Sequence, residues 1–276
     1  MGSNQVIACW GSPGSGTTLT AAKIALELAN LKKNVILVLC DNETPMLPLL
    51  APDIGEAKSL GDLLALPTIS PIDIFQHCIP VKSTLSLMGY LREENENTWP
   101  DYTEERALKL IDLLNDFADY TVDYTVIDCT HHLLYNPLTA AALKTSDTTF
   151  RIMNADPKSL MYLKSQSLFL MQDPAFRFDK HVRIINNLET FQALDTYREA
   201  FGGKAYVLPH LEALQIQYGE SRLLEPLTGW NSKAYQVMLQ KMIAQEILSA
   251  EKQEYDARLN TRIPMRGGRQ EELIHG

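Results

Sequence analysis

The chain has 276 residues, of which 45% are hydrophobic and 21% are charged. This composition is typical of a globular protein with a sizeable core, and it excludes disorder over most of the chain. Lysine and arginine number 25 against 34 aspartates and glutamates, so the formal charge is −9. The acidic balance disfavours a surface that binds nucleic acid or anionic lipid as a whole, and any such contact needs a local basic patch.

The apolar stretches of the sequence are short. The longest wholly apolar run, 35–40, has six residues, whereas a membrane-spanning helix needs about 18–20. The N-terminal residues lack the basic region and apolar stretch of a secretion signal. We therefore expect a cytoplasmic protein with no membrane-spanning segment.

Apolar periodicity along the chain predicts alternating strands and helices. Short apolar runs that end at glycine, proline or acidic loops indicate strands, and apolar residues at helical spacing indicate helices. The boundaries are indistinct between residues 46 and 80, where prolines interrupt short helical pieces. In chain order we predict a strand at 5–10, a helix at 17–31, strands at 34–40 and 81–88, a helix at 103–120, strands at 124–128 and 148–153, a helix at 157–171, strands at 181–186 and 205–208, and a helix at 231–255.

This alternation predicts an α/β fold with one doubly wound, mostly parallel sheet and helices on both faces. We expect a single domain over residues 1–256. Residues 257–276 lose the apolar periodicity, and two glycines follow Arg266. We therefore expect a flexible C-terminal tail over 257–276.

The loop between the first strand and the first helix carries the strongest motif. A phosphate-binding loop has the spacing G-x-x-x-x-G-K-[ST], and its backbone N–H groups and the following helix N-terminus hold phosphate. Gly11, Gly16 and Thr18 fit this spacing, but Thr17 occupies the lysine position. The alternative is a glycine and serine turn with no ligand. The candidate nucleotide-binding residues here are Gly11, Ser12, Pro13, Gly14, Ser15, Gly16, Thr17 and Thr18.

Two aspartates follow predicted parallel strands. Asp41 and Asp128 fall at the sheet edge where the glycine loop also lies, and open α/β sheets bind ligands at this edge. Carboxylates there hold Mg²⁺ or orient an attacking water, and the Thr18 hydroxyl ligates the metal directly. We therefore expect a metal site of Thr18, Asp41 and Asp128, with Asp41 as the catalytic residue. Each aspartate has the alternative role of capping a helix.

The order of these segments resembles the ParA/MinD family of deviant Walker ATPases. The resemblance covers most of the chain and implies a P-loop NTPase fold, binding of ATP or ADP with Mg²⁺, and a homodimer that encloses the nucleotide. It also implies that Asn187 and Pro209 contact the base. The segments that carry it are 11–18, 35–41, 123–128, 146–147, 154–160, 184–187 and 208–209.

Two positions depart from the family pattern. The loop lysine is Thr17, and the signature lysine that reaches across the dimer in this family would fall at Ser12. The transition state of phosphoryl transfer needs positive groups beyond Mg²⁺. We therefore expect nucleotide binding with, at most, slow ATP hydrolysis.

Within the family, residues 10–16 and 158–165 resemble the pilus-assembly branch, TadZ or CpaE. This resemblance implies a localisation or assembly factor that acts on a protein component of a pilus or secretion machine. Two alternatives stay open. A ParA-type DNA segregation ATPase is disfavoured by the acidic charge, and a nucleotide-free scaffold requires only the fold. Adjacent His131 and His132 are expected to point in opposite directions, which argues against a shared metal.

Overall fold

The computed structural model of the protein describes residues 4–116, 122–133, 135–189 and 193–249. The strands share a single sheet, and helices cover both of its faces. The strands are β1 (Gln5–Gly11), β2 (Val35–Leu39), β3 (Ile79–Lys82), β4 (Leu85–Met88), β5 (Tyr124–Asp128), β6 (Thr148–Asn154), β7 (Val182–Leu188) and β8 (Tyr206–Pro209).

The strand order is β3-β4-β2-β5-β1-β6-β7-β8. Every neighbouring pair is parallel except β3 and β4, which are antiparallel at one edge. The order runs outward from the middle strands in both directions, which is the doubly wound arrangement. The predicted fold class, an α/β fold with a mostly parallel sheet, is confirmed.

The helices divide between the two faces. They are α1 (Thr17–Asn30), α2 (Leu47–Leu50), α3 (Leu60–Ala65), α4 (Pro71–His77), α5 (Glu104–Asn115), α6 (Pro137–Thr145), α7 (Pro157–Leu170), α8 (Leu194–Ala200), α9 (Glu212–Gly219) and α10 (Lys233–Ile243). Apolar residues of α1, α9 and α10 pack on one face, and those of α3, α5, α6 and α7 pack on the other. No helix in the described ranges has the length and apolar content needed to cross a membrane.

Burial on both faces explains the unbroken apolar runs. All five residues of β2 are buried, as are all five of β5. Side chains alternate along β1, so that Trp10 packs in one layer and Cys9 in the other. Central parallel strands therefore favour apolar residues on both faces rather than at alternate positions only.

The structure corrects one predicted strand. Residues 81–88 form the end of β3, a turn and all of β4, because the chain reverses between Lys82 and Leu85. The polar residues Ser83 and Thr84 mark this turn, but the apolar residues on either side of them suggested one continuous strand. Helices α6, α8 and α9 were not predicted. Residues 117–120, the last part of the predicted 231–255 helix and the predicted tail at 257–276 lie outside the described residues.

Candidate functional site

The glycine loop has a backbone that only glycine accepts easily. Gly14 and Gly16 have φ angles of +73° and +78°, in the left-handed region that other residues rarely adopt. A Cβ atom at Gly11 would lie 2.2 Å from the carbonyl oxygen of Ile152. Helix α1 begins at Thr17, directly after the loop, so its N-terminal N–H groups and dipole face the space that the loop encloses.

Two asparagines from neighbouring strands hold this loop in place. The side-chain amide of Asn186 donates to the carbonyl oxygen of Ser15 at 2.8 Å. That of Asn154 donates to the carbonyl oxygen of Gly14 at 3.1 Å. Asn154 is the last residue of β6, and Asn186 lies two residues before the end of β7. The rule that selected Asp41 and Asp128 from the sequence, a polar residue at the end of a parallel strand, would also have found them.

Asp128 is a buried carboxylate beside the first turn of α1. Its side chain is 3% exposed, and its Oδ1 atom has no hydrogen-bond partner among the described residues. Burial raises the pKa of Asp128 to about 7, a hydrogen bond from Thr18 opposes this, and the nearby charge of Asp41 adds to it. An unpaired carboxylate oxygen next to a threonine hydroxyl is a donor set that suits Mg²⁺. The residues therefore fit the metal that the sequence predicts.

Asp41 has a different environment. Its Oδ1 atom accepts backbone N–H bonds from Glu43 at 3.0 Å and from Thr44 at 2.9 Å. Asp41 therefore stabilises a local turn. It does not have the alternative role of capping a helix, because the next helix, α2, begins at Leu47 after Met46. Asp41 also lines the cavity beside the glycine loop. Asp41 therefore lies beside the glycine loop, and one of its carboxylate oxygens already accepts two backbone hydrogen bonds.

A cavity of about 370 Å³ lies against the glycine loop and contains no lysine or arginine among its described lining residues. Thr17 Oγ1 lies 3.3 Å from Ser15 Oγ, and the buried Ser12 hydroxyl has no described partner. Burial lowers the pKa of His131 below its usual value, which favours a neutral ring at neutral pH. The lining residues are Gly11, Ser12, Pro13, Gly14, Gly16, Thr17, Thr18, Leu19, Asp41, Met46, Cys129, Thr130, His131 and Tyr218.

A second cavity of about 350 Å³ adjoins the first. Asn187 and Pro209 line it, so the structure brings the predicted base contacts beside the glycine loop. Asn187 has a φ of +54°, and its Oδ1 lies 2.7 Å from His210 Nδ1. Tyr218 lines both cavities and was missed, since no sequence signal marks it. The other lining residues are Gly14, Ser15, Gly16, Leu19, Asn154, Asn186, Leu211, Leu214 and Gln215.

The nearest lysine in the sequence, Lys23, does not replace the missing loop cation. Its Nζ atom donates to Gln217 Oε1 at 2.7 Å and to the carbonyl oxygens of Leu223 and Glu225 at 2.7 and 2.9 Å. Burial lowers the pKa of Lys23 to about 8. Lys23 therefore connects α1 to the chain around Tyr218 and does not line either cavity.

His131 and His132 do not point in opposite directions, so that expectation is wrong. Their ring centroids are 3.9 Å apart. The chain turns here, with the N–H of Leu133 donating to the carbonyl oxygen of His131, so the alternation of an extended strand does not apply. No group of three or more histidine, cysteine, aspartate or glutamate side chains that would hold a metal occurs within the described ranges.

No protein-family model matches the sequence, and neither does any curated protein. Solved structures do match the fold. A ParA family ATPase from Chlorobium tepidum TLS has 15% identity and a TM-score of 0.69, covering 86% of this chain and 97% of its own. A putative plasmid partition protein from Borrelia burgdorferi B31, bound to AMPPNP, has 21% identity and a TM-score of 0.69, covering 88% and 99%.

The septum site-determining protein MinD from Pyrococcus horikoshii OT3, complexed with Mg-ADP, has 14% identity and a TM-score of 0.62, covering 90% of this chain and 98% of its own. The similarity extends over nearly the full length of each of these three structures. Because the identities are this low, the similarity establishes the fold and not the function. The chain has the P-loop NTPase fold of the ParA and MinD ATPases.

Proposed function

We propose that the protein binds ATP or ADP with Mg²⁺ and hydrolyses ATP slowly or not at all. One observation carries this proposal. A complete glycine loop and the Thr18 and Asp128 pair line the carboxyl edge of the sheet, while no lysine or arginine lines the adjacent cavity among the described residues. Backbone N–H groups, a helix N-terminus and Mg²⁺ suffice to bind phosphate, whereas the transition state needs further positive charge.

Each part of the site has a proposed role. The loop residues 11–18 hold the phosphates through their backbone. Thr18 and Asp128 hold Mg²⁺, and Asp41 holds it through water or orients an attacking water. Asn187 and Pro209 contact the base in the second cavity. Support for this division comes from the two adjoining cavities, which share Gly14, Gly16, Leu19 and Tyr218.

We further propose that the protein is a cytoplasmic homodimer that acts as a localisation or assembly factor for a pilus or secretion machine. The resemblance of residues 10–16 and 158–165 to the TadZ and CpaE branch supports this role. The formal charge of −9 favours a protein partner over DNA.

Replacing Thr17 with lysine tests the loop directly. A charge-assisted hydrogen bond contributes about 1.5–3 kcal/mol, so Thr17→Lys is expected to tighten ATP binding about tenfold or more. Calorimetric titration with ATP and Mg²⁺ measures the change. Thr17→Gln, which adds a long side chain without charge, is the matched control. An unchanged affinity in Thr17→Lys would contradict the proposed phosphate loop, and no binding by any variant would support the scaffold alternative.

A ParA-type DNA segregation ATPase is the second candidate, favoured by the full-length fold similarity to a plasmid partition protein. Non-specific DNA binding of that kind depends on a positive surface and gives dissociation constants of about 1–100 µM at physiological salt. We expect gel-shift titration with random duplex DNA at about 150 mM salt to show no complex in this range. A complex at micromolar protein with ATP and Mg²⁺ would favour DNA segregation instead.

A further inference from the structure

A third cavity, of about 300 Å³, lies at the carboxyl edge of the sheet beyond Asp41. Its walls come from α3, from the segment that connects β4 to α5, and from the start of α6. Asn42 links it in sequence to Asp41, and Asn136 donates to the carbonyl oxygen of Cys40 at 2.9 Å. The cavity therefore adjoins the proposed nucleotide site without sharing its lining residues. We name it the aromatic cavity.

Four aromatic side chains line the aromatic cavity: Tyr90, Trp99, Tyr102 and Tyr135. Tyr90 is buried, whereas Tyr135 is 85% exposed at the rim. Aromatic rings lose water readily and present negative faces, which attract a cation that lies over them. Trp99 and Tyr102 are half-buried, so the four rings range from a buried one to an exposed one at the rim.

Two carboxylates, Glu96 and Asp101, also line the aromatic cavity. Neither forms an ion pair with a basic side chain within the described ranges. They belong to a strongly acidic segment, 92–105, with one arginine and six acidic residues, which are Glu93, Glu94, Glu96, Asp101, Glu104 and Glu105. The cavity thus combines aromatic faces with negative charge that no described cation neutralises.

Trp99 forms part of the cavity wall and packs directly on α3. Its indole N–H is buried and has no acceptor among the described residues. The indole packs on Gly61, where a Cβ atom would lie 2.0 Å from Trp99 Cδ1 and 2.2 Å from Nε1. Glycine at this position of α3 therefore permits the placement of Trp99 in the cavity wall.

We propose that the aromatic cavity binds an arginine side chain from a basic segment of a partner protein. The guanidinium stacks on the aromatic rings and pairs with Glu96 and Asp101. Arginine fits better than lysine because its planar group stacks on rings and pairs with two carboxylate oxygens at once. This inference concerns residues outside the nucleotide site and does not depend on nucleotide binding.

Fluorescence anisotropy with short labelled peptides tests the cavity. We expect the peptide Gly-Arg-Gly-Arg-Gly amide to bind at about 150 mM salt, where the Debye length of about 8 Å suppresses long-range attraction. The lysine counterpart Gly-Lys-Gly-Lys-Gly amide should bind more weakly, and Gly-Glu-Gly-Glu-Gly amide should not bind. Absence of arginine-peptide binding at millimolar peptide, or equal binding of all three, would overturn the proposal.

Matched variants separate a specific cavity from a general acidic field. Glu96→Gln with Asp101→Asn should weaken arginine-peptide binding about tenfold. The control pair, Glu199→Gln with Glu212→Gln, removes the same charge from exposed positions on α8 and α9. It should change the affinity for the arginine peptide less than twofold. Equal weakening by both pairs would overturn the cavity assignment. ATP titration of the first pair should match wild type, which keeps this test separate from that of the proposed function.

Two further variants test the aromatic walls without a change of charge. Gly61→Ala should displace Trp99 and weaken arginine-peptide binding about fivefold. Because this variant carries a risk of misfolding, Tyr135→Ala at the exposed rim provides a second test, with an expected two- to fivefold loss typical of an exposed cation–π contact. Unchanged binding in a folded Gly61→Ala variant and in Tyr135→Ala would contradict the role of the aromatic rings.

Discussion

Replacing Asp128 with asparagine is expected to stabilise the nucleotide-free protein above pH 7 and to abolish the Mg²⁺ dependence of nucleotide binding. Burial raises the pKa of this carboxyl to about 7, against about 3.9 in the unfolded chain. Between these values the folded state binds more protons than the unfolded state, so the contribution of Asp128 to stability is lost as pH rises. The difference between the two pKa values corresponds to a change of at most about 4 kcal/mol in the free energy of unfolding.

Urea unfolding of Asp128→Asn without nucleotide measures this effect. The gain in stability over wild type should be small at pH 4, increase through pH 7 and then level off, because asparagine never ionises. Asp53→Asn removes an exposed carboxylate and is the control. Calorimetry with Mg²⁺ and with EDTA measures the second effect. A variant that still binds ATP more tightly with Mg²⁺ would rule out Asp128 as a metal ligand.

The sequence predicted those parts of the fold that depend on local patterns. The apolar runs of β1, β2 and β5 indicated central strands because a strand buried on both faces is apolar at most of its positions. The glycine loop could be found because positive φ angles at Gly14 and Gly16 require glycine. The turn between β3 and β4 was missed because apolar residues on both sides of it gave the appearance of one strand.

The remaining site residues depend on contacts between distant segments. Lys23 looks like a surface residue of α1 in the sequence, yet it is buried against carbonyl oxygens about 200 residues away. Tyr218 reaches both cavities only because α9 packs beside the loop. Trp99, in the connection between β4 and α5, contacts Gly61 in a region whose helix boundaries the sequence left indistinct. No local pattern specifies such pairings.

His181 is expected to limit stability in acid, in the opposite direction to Asp128. Its Nδ1 accepts the indole N–H of Trp10 at 3.1 Å, and its Nε2 lies 2.7 Å from the carbonyl oxygen of Phe176. One ring nitrogen must accept and the other donate, so the buried ring is neutral. Burial lowers the pKa of His181 to about 4, the Phe176 carbonyl opposes this, and Arg151 is among three arginines that lower it further.

The unfolded chain therefore binds a proton at His181 below about pH 6.5, before the folded protein does. The contribution of His181 is fully present above pH 6.5 and is lost as pH falls toward 4, by at most about 3 kcal/mol. Urea unfolding between pH 4 and 7.5 should show a smaller acid loss in His181→Gln than in wild type. His132→Gln, with a more exposed ring, is the control. Protonation of Asp128 stabilises the fold over the same range, so stability should fall most steeply with decreasing pH in Asp128→Asn. If the free energy of unfolding changed equally with pH in wild type and all three variants, both assignments would be contradicted.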